Sequence, residues 1–270
     1  SLQLKSSQQS ARIAKTASGL GFGGGKQNTQ VHRWQKKGDQ VLLRVVSHDI
    51  YAADSLPIHE AVTNSNFEPI LSSFEIETVG KDSINKSYVI DVTDLYKKDV
   101  QALGLGDRYR KQYKVSRLDD SRSLIDTIRS YPKNIEIRHI KTYNAGNPPS
   151  NSTTGSISLE FSNSMILLPK EPMERRYFDE RVGWFTTSQT DYGLEAQKSK
   201  TVEYLDRWRL EVKEEDMEKF KNGELVEPKK QIVYYIDRAT PEKWVPYIKQ
   251  GIEDWQVAFE EAGFKNAIIA

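Results

Sequence analysis

The sequence contains no cysteine, which excludes disulfide bonds, thiolate nucleophiles and zinc sites built on cysteine. It also lacks an excess of either charge, since 39 basic residues stand against 38 acidic ones and the net charge is +1. We therefore expect no general attraction to nucleic acid or to an anionic membrane. No run approaches the roughly 20 apolar residues that span a bilayer, so no transmembrane segment is predicted.

The amino end has few features that predict order. Residues 1–28 are polar and glycine-rich, and we expect a flexible segment there. Gly19, Gly21 and Gly24 satisfy the spacing G-x-G-x-x-G, but no strand pattern precedes them and no helix pattern follows, so no phosphate site is predicted. The sequence starts without methionine and without a hydrophobic signal core, and we expect that the native start has been removed.

The sequence is rich in aromatic residues, with 13 tyrosines and 5 tryptophans, and in short segments where apolar and polar residues alternate. Such alternation predicts strands. The segments are "QVLLRVVSHDIYA", "PILSSFEIETV", "SYVIDV", "NIEIRHIKTY", "SISLEF", "RVGWFTTSQTDYG" and "KTVEYLDRWRLEV". We therefore predict an α+β fold in which residues 29–212 form a mainly antiparallel, β-rich domain.

Two helices are predicted within this domain. Asp91 and Thr93 can cap a short helix in "DLYKKDV". In "DDSRSLIDTIRSYP", Leu124, Ile125 and Ile128 lie at helical spacing behind two aspartates that can cap a helix, and a proline follows. This pattern predicts the second helix.

The composition changes after residue 212. Residues 213–230 are highly charged, and we expect a linker with a short helix there. Residues 231–270 then show the apolar strand "QIVYYI", a pattern of about 22 helical residues from Thr240, and a strand after Gly263. The apolar stripe of this helix is Trp244, Ile248, Ile252, Trp255, Phe259 and Ala262.

Strand, helix and strand in this order predict a βαβ unit with two parallel strands. One such unit cannot cover both faces of its sheet, so we interpret residues 231–270 as the incomplete beginning of an α/β domain. We accordingly expect a truncated chain. Residues 267–270 would then form an open strand edge that can pair with another chain.

Catalytic or metal-binding chemistry must be sought among four histidines. The segment "HEAVT" begins at His59 like the zinc motif H-E-x-x-H, but Thr63 stands where a second imidazole is required. His139 lies in an alternating strand, where a structural role is expected. His48 and Asp49 are neighbours in a strand pattern and point to opposite faces, so they do not form a base and its orienting partner. The sequence predicts no metal ligand and no catalytic residue in this chain.

Two further clusters are candidates for a binding surface. "DRYRKQYKVSR" interleaves basic residues with tyrosines, as a nucleic-acid groove does, but acidic residues follow at once. We therefore expect a solvated face and no nucleic-acid partner. "DERVGWFTTSQTDYG" crowds charged and aromatic residues together, and Trp184, Asp191 and Tyr192 are its candidates for contacts with a substrate or partner. Ordinary strand packing is the alternative for this segment.

Long strings of the sequence resemble, in the same order, a family of large bacterial zinc-dependent metallopeptidases. The strings are "LRVVSHDIYAADSLPI", "YKVSRLDDSRSLIDTIRSYPKNIEIRH", "TYNAGNPPSNSTTGSISLEFSNSMILLP", "DERVGWFTTSQTDYG", "RWRLE" and "GELVEPKKQIVYYIDRATPEKWVPYIKQGIEDWQVAFEEAGFKNAIIA". The resemblance covers nearly the whole chain from Val31 onwards. It implies an N-terminal domain of unknown function followed by the first strand, helix and second strand of a metzincin-like catalytic domain. The zinc-binding histidines and the general-base glutamate are then expected downstream of Ala270.

The resemblance also implies a function and a location. The parent protein is expected to be a zinc-dependent metalloendopeptidase that acts on peptide or protein substrates in the periplasm or cell envelope of a bacterium. This chain would hold no catalytic zinc and would be inactive, with its first domain acting as a prodomain-like or substrate-positioning module and Asp191 as a candidate for reaching the absent metal. The alternative is a non-catalytic cell-envelope module that binds polysaccharide or protein through Trp184 and Tyr192.

Overall fold

The structure, a computed structural model, describes residues 2–13, 23–80, 87–149, 154–195 and 198–270. The chain divides into two compact units. The first comprises Ser1–Pro172 and Gln189–Val202, and the second comprises Met173–Ser188 and Glu203–Ala270. Each unit is therefore built from two separate stretches of chain.

Strands are far more numerous than helices among the described residues. The strands are β1 (Leu2–Ile13), β2 (Lys26–Lys37), β3 (Gln40–Val46), β4 (Ile50–Tyr51), β5 (Ile70–Glu75), β6 (Thr78–Val79), β7 (Tyr88–Val89), β8 (Val115–Leu118), β9 (Leu124–Ser130), β10 (Asn134–Ala145), β11 (Ser156–Leu167), β12 (Thr186–Asp191), β13 (Lys200–Leu205), β14 (Ile232–Val233) and β15 (Ile268–Ile269). The helices are α1 (Ile58–Ser65), α2 (Thr93–Lys97), α3 (Asp107–Gln112), α4 (Met217–Lys221), α5 (Val245–Glu253) and α6 (Gln256–Glu261).

The first unit is dominated by one large sheet with the strand order β5-β3-β2-β1-β11-β10-β8, and β9 pairs with β10 further along the same strand. All of these pairings are antiparallel. Strands β12, β4 and β13 form a small second sheet, in which β12 runs parallel to β4. The predicted α+β fold with a mainly antiparallel sheet is confirmed at this level.

The expectation of a flexible segment over residues 1–28 is wrong for residues 2–13. These residues form β1, which lies in the middle of the large sheet and pairs with β2 on one side and with β11 on the other. Neighbours on both edges satisfy the backbone of a strand whose own composition is polar. Gly19 and Gly21 lie outside the described residues, and Gly24, with φ +93°, stands in the turn before β2.

The helix predicted in "DDSRSLIDTIRSYP" is also wrong. The aspartates open only a short 3-10 turn, Asp120–Arg122, where the Asp119 carboxylate accepts hydrogen bonds from the backbone N–H groups of Ser121 and Arg122. The apolar residues behind the turn belong to strand β9, which pairs with β10 from Leu124↔Ile140 to Ser130↔Ile135. Pairing with a strand edge has overridden a local helical pattern. The other predicted helix is present as α2, and the Asp91 carboxylate accepts from the Thr93 N–H at 2.8 Å.

One face of the large sheet carries the core of the first unit. Its fully buried apolar residues lie on four elements and include Leu43, Leu95, Leu103, Ile157 and Phe161. Helix α2 and the 3-10 turn Gln101–Leu103 cover this face, because Leu95 and Leu103 pack in one cluster with Leu43 and Met165. The connection that follows α2 is thus fixed against the sheet.

The second unit has a separate small core, formed by Val226, Phe264 and Ala267 with Phe220 and Phe259 packed against it. Residues 213–230, expected to be a linker, supply two of these side chains. Strands β14 and β15 pair in parallel, with Ile232↔Ile268 and Val233↔Ile269 in register.

The helical region between β14 and β15 differs from the single helix that was predicted. It begins with a 3-10 turn, Glu242–Trp244, which Pro241 rather than Thr240 precedes, and it is divided into α5 and α6 at Asp254 and Trp255. Gly263 takes the left-handed conformation expected after the helix, with φ +89°. A Cβ atom at this glycine would lie 2.5 Å from the Phe220 ring, so the close contact also requires glycine.

Candidate functional site

The described residues contain no group of three histidine, aspartate or glutamate side chains that could hold a metal ion. His59 lies at the start of α1, its Nδ1 donates to the Ala52 carbonyl at 2.9 Å, and its Nε2 lies 3.4 Å from the Thr63 hydroxyl. Thr63 therefore stands one helical turn away, as the sequence indicated, but as a hydrogen-bond partner. His48 and Asp49 are exposed in the connection between β3 and β4.

The three residues singled out for binding are divided between the two units. Trp184 belongs to the second unit, and its indole Nε1 donates to the Asp206 carbonyl at 2.6 Å. Asp191 belongs to the first unit, and its carboxylate accepts from the Gly193 N–H at 2.7 Å. Tyr192 follows it, with a backbone N–H that donates to Tyr51 and a side chain that is 44% exposed. Their binding roles stay a prediction.

Trp184 lies in an exposed aromatic surface of the second unit that the sequence indicated only in part. Phe185 beside it is 88% exposed, and its carbonyl accepts from the Asp206 N–H at 2.9 Å. The Asp206 carboxylate also accepts from the Thr187 hydroxyl at 2.7 Å. Asp206 thus holds both aromatic residues in place while their rings stay exposed. We call Trp184 and Phe185 the aromatic surface.

A second aromatic group in the same unit consists of Tyr177 and Tyr204. Their ring centroids lie 5.5 Å apart, and the Arg175 guanidinium lies over the Tyr204 ring at 4.8 Å. Tyr177 is 72% exposed. The string "ERRYFDERVGWF" indicated all of these residues except Tyr204, because seven of its residues are aromatic or arginine within a short charged stretch. Exposed aromatic rings held by backbone hydrogen bonds can stack on flat ligands or bury against a protein partner.

The interior of the first unit holds a polar network that sequence reasoning missed. It joins Gln8 on β1, Asn163 on β11 and His139 on β10, three neighbouring strands. His139 Nε2 hydrogen-bonds Asn163 Oδ1, Asn163 Nδ2 donates to Gln8 Oε1 at 3.2 Å, and Gln8 Nε2 donates to the Gly104 carbonyl at 3.0 Å. These contacts fix the connection after α2 to the middle of the sheet.

His139 is fully buried between aromatic rings. Its ring centroid lies 5.6 Å from that of Tyr96 and 5.6 Å from that of Phe161, which agrees with the structural role expected for it. Burial, with a smaller effect from the Lys141 charge, lowers the pKa of His139 to about 4. Burial alone lowers the pKa of His32, on β2, to about 4. Both imidazoles are therefore neutral at pH 7.

A second polar cluster lies beside this network and joins the buried Lys141 and Tyr143 to the partly buried Arg110 and the exposed Asp99. Arg110 donates to the Asp99 carboxylate through both terminal nitrogens and to the Leu105 carbonyl through Nε at 2.6 Å. Its guanidinium carbon lies 4.9 Å from the centroid of the Tyr143 ring. The fully buried Lys141 ammonium donates to the Lys98 carbonyl at 2.8 Å, and burial lowers its pKa to about 8.

The cluster of Asp99 and Arg110 corrects the interpretation of "DRYRKQYKVSR" as one solvated face. Arg110 is partly buried in the ion pair, and Tyr113 is buried in the core with its ring stacked on Tyr109. The remaining basic residues of the segment, Arg108, Lys111, Lys114 and Arg117, are exposed as expected. Tyr113 is thus part of the hydrophobic core, and Tyr109 packs against it. Both clusters position the chain, whereas the rings of the aromatic surface are exposed to a possible ligand.

Comparison with known proteins gives one match. No curated protein and no solved structure is significantly similar to the chain. Residues 24–213, well over half of the chain, match a family described as a domain of unknown function, DUF5117. The matched region ends next to residue 212, where the change in composition was seen. The chain therefore belongs to the DUF5117 family.

Proposed function

We propose that the chain is the N-terminal portion of a zinc-dependent metalloendopeptidase and serves there as a non-catalytic module. The long strings that resemble this class of peptidase motivate the proposal. The observation that supports it is the parallel pairing of β14 with β15 around the helical segment α5–α6. In this proposal residues 231–270 are the incomplete first βαβ unit of a zincin-like catalytic domain.

The surface of the helical segment gives further support. Trp244 is 51% exposed and Trp255 is 64% exposed, although both belong to the apolar stripe of the helical pattern. Tyr247 and Val257, at 68% and 66%, add to the exposed apolar area. Parallel sheets are normally covered on both faces, and a stripe of this kind normally packs against a sheet. Additional strands and helices of a catalytic domain would bury these side chains.

The described residues do not fit a zinc site, because no three ligand side chains converge. In this proposal the resemblance places the zinc ligands and the general-base glutamate in residues beyond Ala270, and no catalytic step is attributed to this chain. Peptide or protein substrates, and a location in the periplasm or cell envelope, belong to the same proposal. Among the described residues, no helix is long and apolar enough to cross a membrane.

The test compares the 270-residue chain with a chain extended along the natural reading frame until it includes an H-E-x-x-H helix. Zinc content is measured by atomic emission, and cleavage of a fluorogenic peptide library is followed in parallel. We expect one zinc per molecule and peptide cleavage only in the longer chain. Stoichiometric zinc or cleavage in the 270-residue chain, or a reading frame without an H-E-x-x-H helix, contradicts the proposal.

A second candidate function is a non-catalytic module of the cell envelope that binds polysaccharide or protein, and the exposure of Trp184 and Phe185 favours it. Its test is co-sedimentation with peptidoglycan and other insoluble polysaccharides. Phe185→Ala is expected to reduce the bound fraction at least five-fold, since stacking on an aromatic ring supplies much of such binding. The control is Trp255→Ala, also an exposed aromatic of the second unit. Equal binding by both variants eliminates the aromatic surface as the site.

A further inference from the structure

The central strand of the large sheet lies outside the region that defines the family. The family match begins at residue 24, whereas β1 ends at Ile13. In the part of the chain that the structure describes, β1 alone connects β2 with β11. The matched region by itself therefore supplies two half-sheets, β5-β3-β2 and β11-β10-β8 with β9, and a slot one strand wide between them.

The strand that fills this slot has an unusual composition. Its sequence, "LQLKSSQQSARI", is rich in serine and glutamine, which are not among the residues enriched in strands. Three side chains on its core-facing side, Leu4, Ser6 and Gln8, are all at least nine-tenths buried. They alternate along the strand, as side chains on one face do.

The slot contains a specific partner for each of these side chains. Leu4 packs in the cluster that includes Leu43 and Met165. Ser6 is paired with Met165 on one side and with Gln30 on the other, where a small side chain fits. Gln8 accepts from Asn163 Nδ2 and donates to the Gly104 carbonyl. Asn163 is itself fully buried and held by His139, so the amide-binding position is built from residues of the family region.

Backbone pairing gives the slot its affinity for an extended chain. The β1 backbone is in antiparallel register with β11 from Leu4↔Leu167 to Ile13↔Leu159 and with β2 from Leu2↔Trp34 to Gln9↔Lys26. A strand that enters a sheet in this way gains main-chain hydrogen bonds, while the pockets for alternate side chains determine which sequence fits.

We propose that the slot between β2 and β11 is a strand-binding site for an extended segment with leucine, serine and glutamine at alternate positions. In this chain the β1 segment occupies the slot. The ligand from outside is the same strand of a second copy, which fits the three positions by identity and would give a strand-exchanged dimer. The site is independent of the peptidase proposal, because all of its residues belong to the first unit.

The experiment uses the full chain and, as a probe for the strand of a second copy, a fluorescent peptide with the sequence of residues 2–13. The chain is unfolded in urea and refolded by dilution with an excess of the peptide, and uptake is measured by fluorescence anisotropy after gel filtration. The chain variant Gln8→Ala weakens its own strand and is expected to take up at least ten-fold more peptide than Gln9→Ala. Gln9 is the matched control, because it is the neighbouring residue of the same type and is exposed.

The same substitutions in the peptide give the reverse result if the proposal is right. Gln8→Ala in the peptide should reduce uptake by the wild-type chain at least ten-fold, and Gln9→Ala should change it less than two-fold. Hydrogen exchange must show that bound peptide protects β2 and β11. The proposal is overturned if no peptide enters the wild-type chain or the Gln8→Ala chain, if both substitutions act equally, or if protection appears elsewhere.

Discussion

At the scale of single residues, Gly104 makes a close contact in the core of the first unit. A Cβ atom there would lie 2.5 Å from the hydroxyl of Tyr143. The Tyr143 side chain is fully buried and has no room to move away. We predict that Gly104→Ala lowers the free energy of unfolding by about 1–3 kcal/mol, the usual cost of overpacking. Urea denaturation followed by circular dichroism measures it.

Gly106 provides the control for this prediction. It lies two residues further along the same connection, and a Cβ atom there would meet nothing within 4 Å. Its φ of −67° is a backbone conformation that alanine also adopts without strain. If Gly104→Ala is no less stable than Gly106→Ala, the close approach to Tyr143 does not constrain the connection.

The two buried histidines should make the free energy of unfolding depend on pH in the acidic range. Their pKa values fall from 6.5 to about 4 on folding, because burial disfavours the imidazolium. Between these pH values the unfolded chain binds more protons than the folded chain. The contribution of the two neutral histidines to the free energy of unfolding is therefore fully present above pH 6.5 and is lost as the pH falls towards 4. Each histidine contributes roughly 1 kcal/mol per pH unit in this window.

We expect His139→Gln to reduce the slope of unfolding free energy against pH between 6.5 and 4, whatever it does to stability at pH 7. Urea denaturation at half-unit pH intervals measures the slope. The control, His48→Gln, makes the same substitution at an exposed histidine of the same unit. An unchanged slope in His139→Gln would show that His139 takes up its proton without unfolding.

The sequence predicts the backbone conformation of some residues but not the long-range contacts of others. The left-handed conformation of Gly263 was predictable, because it depends only on the local pattern of helix, glycine and strand. The hydrogen bond between Gln8 and Asn163 was not, because the two residues are 155 positions apart and meet only through strand pairing. The ion pair of Asp99 and Arg110 was missed for another reason, because Arg110 looked like part of a solvated basic segment.

At the scale of elements, the segments with clear alternation were predicted as strands, whereas β1, β2, β8 and β9 were not. The β1 segment has too few apolar residues to be recognised, and only the edges of β2 and β11 make it a strand. The β9 segment has Leu124, Ile125 and Ile128 at helical spacing, but its backbone pairs with that of β10 and forms a strand. Long-range pairing decided both cases, and a single sequence does not show where such an edge will be.

The β9 assignment can be tested with two isoleucines that a helix would treat alike. In the strand, Ile125 packs against the cluster of Leu95, Ile137 and Met165, whereas Ile128 is 60% exposed. We predict that Ile125→Ser lowers the free energy of unfolding by about 2–4 kcal/mol and that Ile128→Ser changes it by less than about 0.5 kcal/mol. Thermal and urea denaturation measure both. Equal losses would favour the helical stripe over the strand.

At the scale of the whole molecule, the division into units does not follow the linear change in composition at residue 212. Residues Met173–Ser188 join the second unit, although they precede residues Gln189–Val202 of the first. Such a discontinuous unit leaves no local signal, because it is defined by contacts between distant segments. The composition at 213–230 likewise indicated a linker, whereas Phe220 and Val226 of that segment pack in the second core.

Each unit has its own core, so a core substitution should first weaken its own unit. Leu43 is fully buried in the first unit, and Phe264 packs against Phe220 in the second, with ring centroids 5.4 Å apart. Leu43→Ala and Phe264→Ala should each cost about 3 kcal/mol, from lost burial and the cavity that remains. We expect Leu43→Ala to raise hydrogen exchange in β3 and β11, and Phe264→Ala to raise it in β14 and β15, as measured by mass spectrometry.

Val233→Ala is the control for this experiment, since Val233 is 45% exposed on β14 and its shortening removes little buried area. It should leave exchange in β15 within the range of the wild-type chain. The decisive comparison is the pattern of exchange in Phe264→Ala. If β3 and β11 lose as much protection as β14 and β15, the chain unfolds as one cooperative body, and the two cores are not separate units of stability.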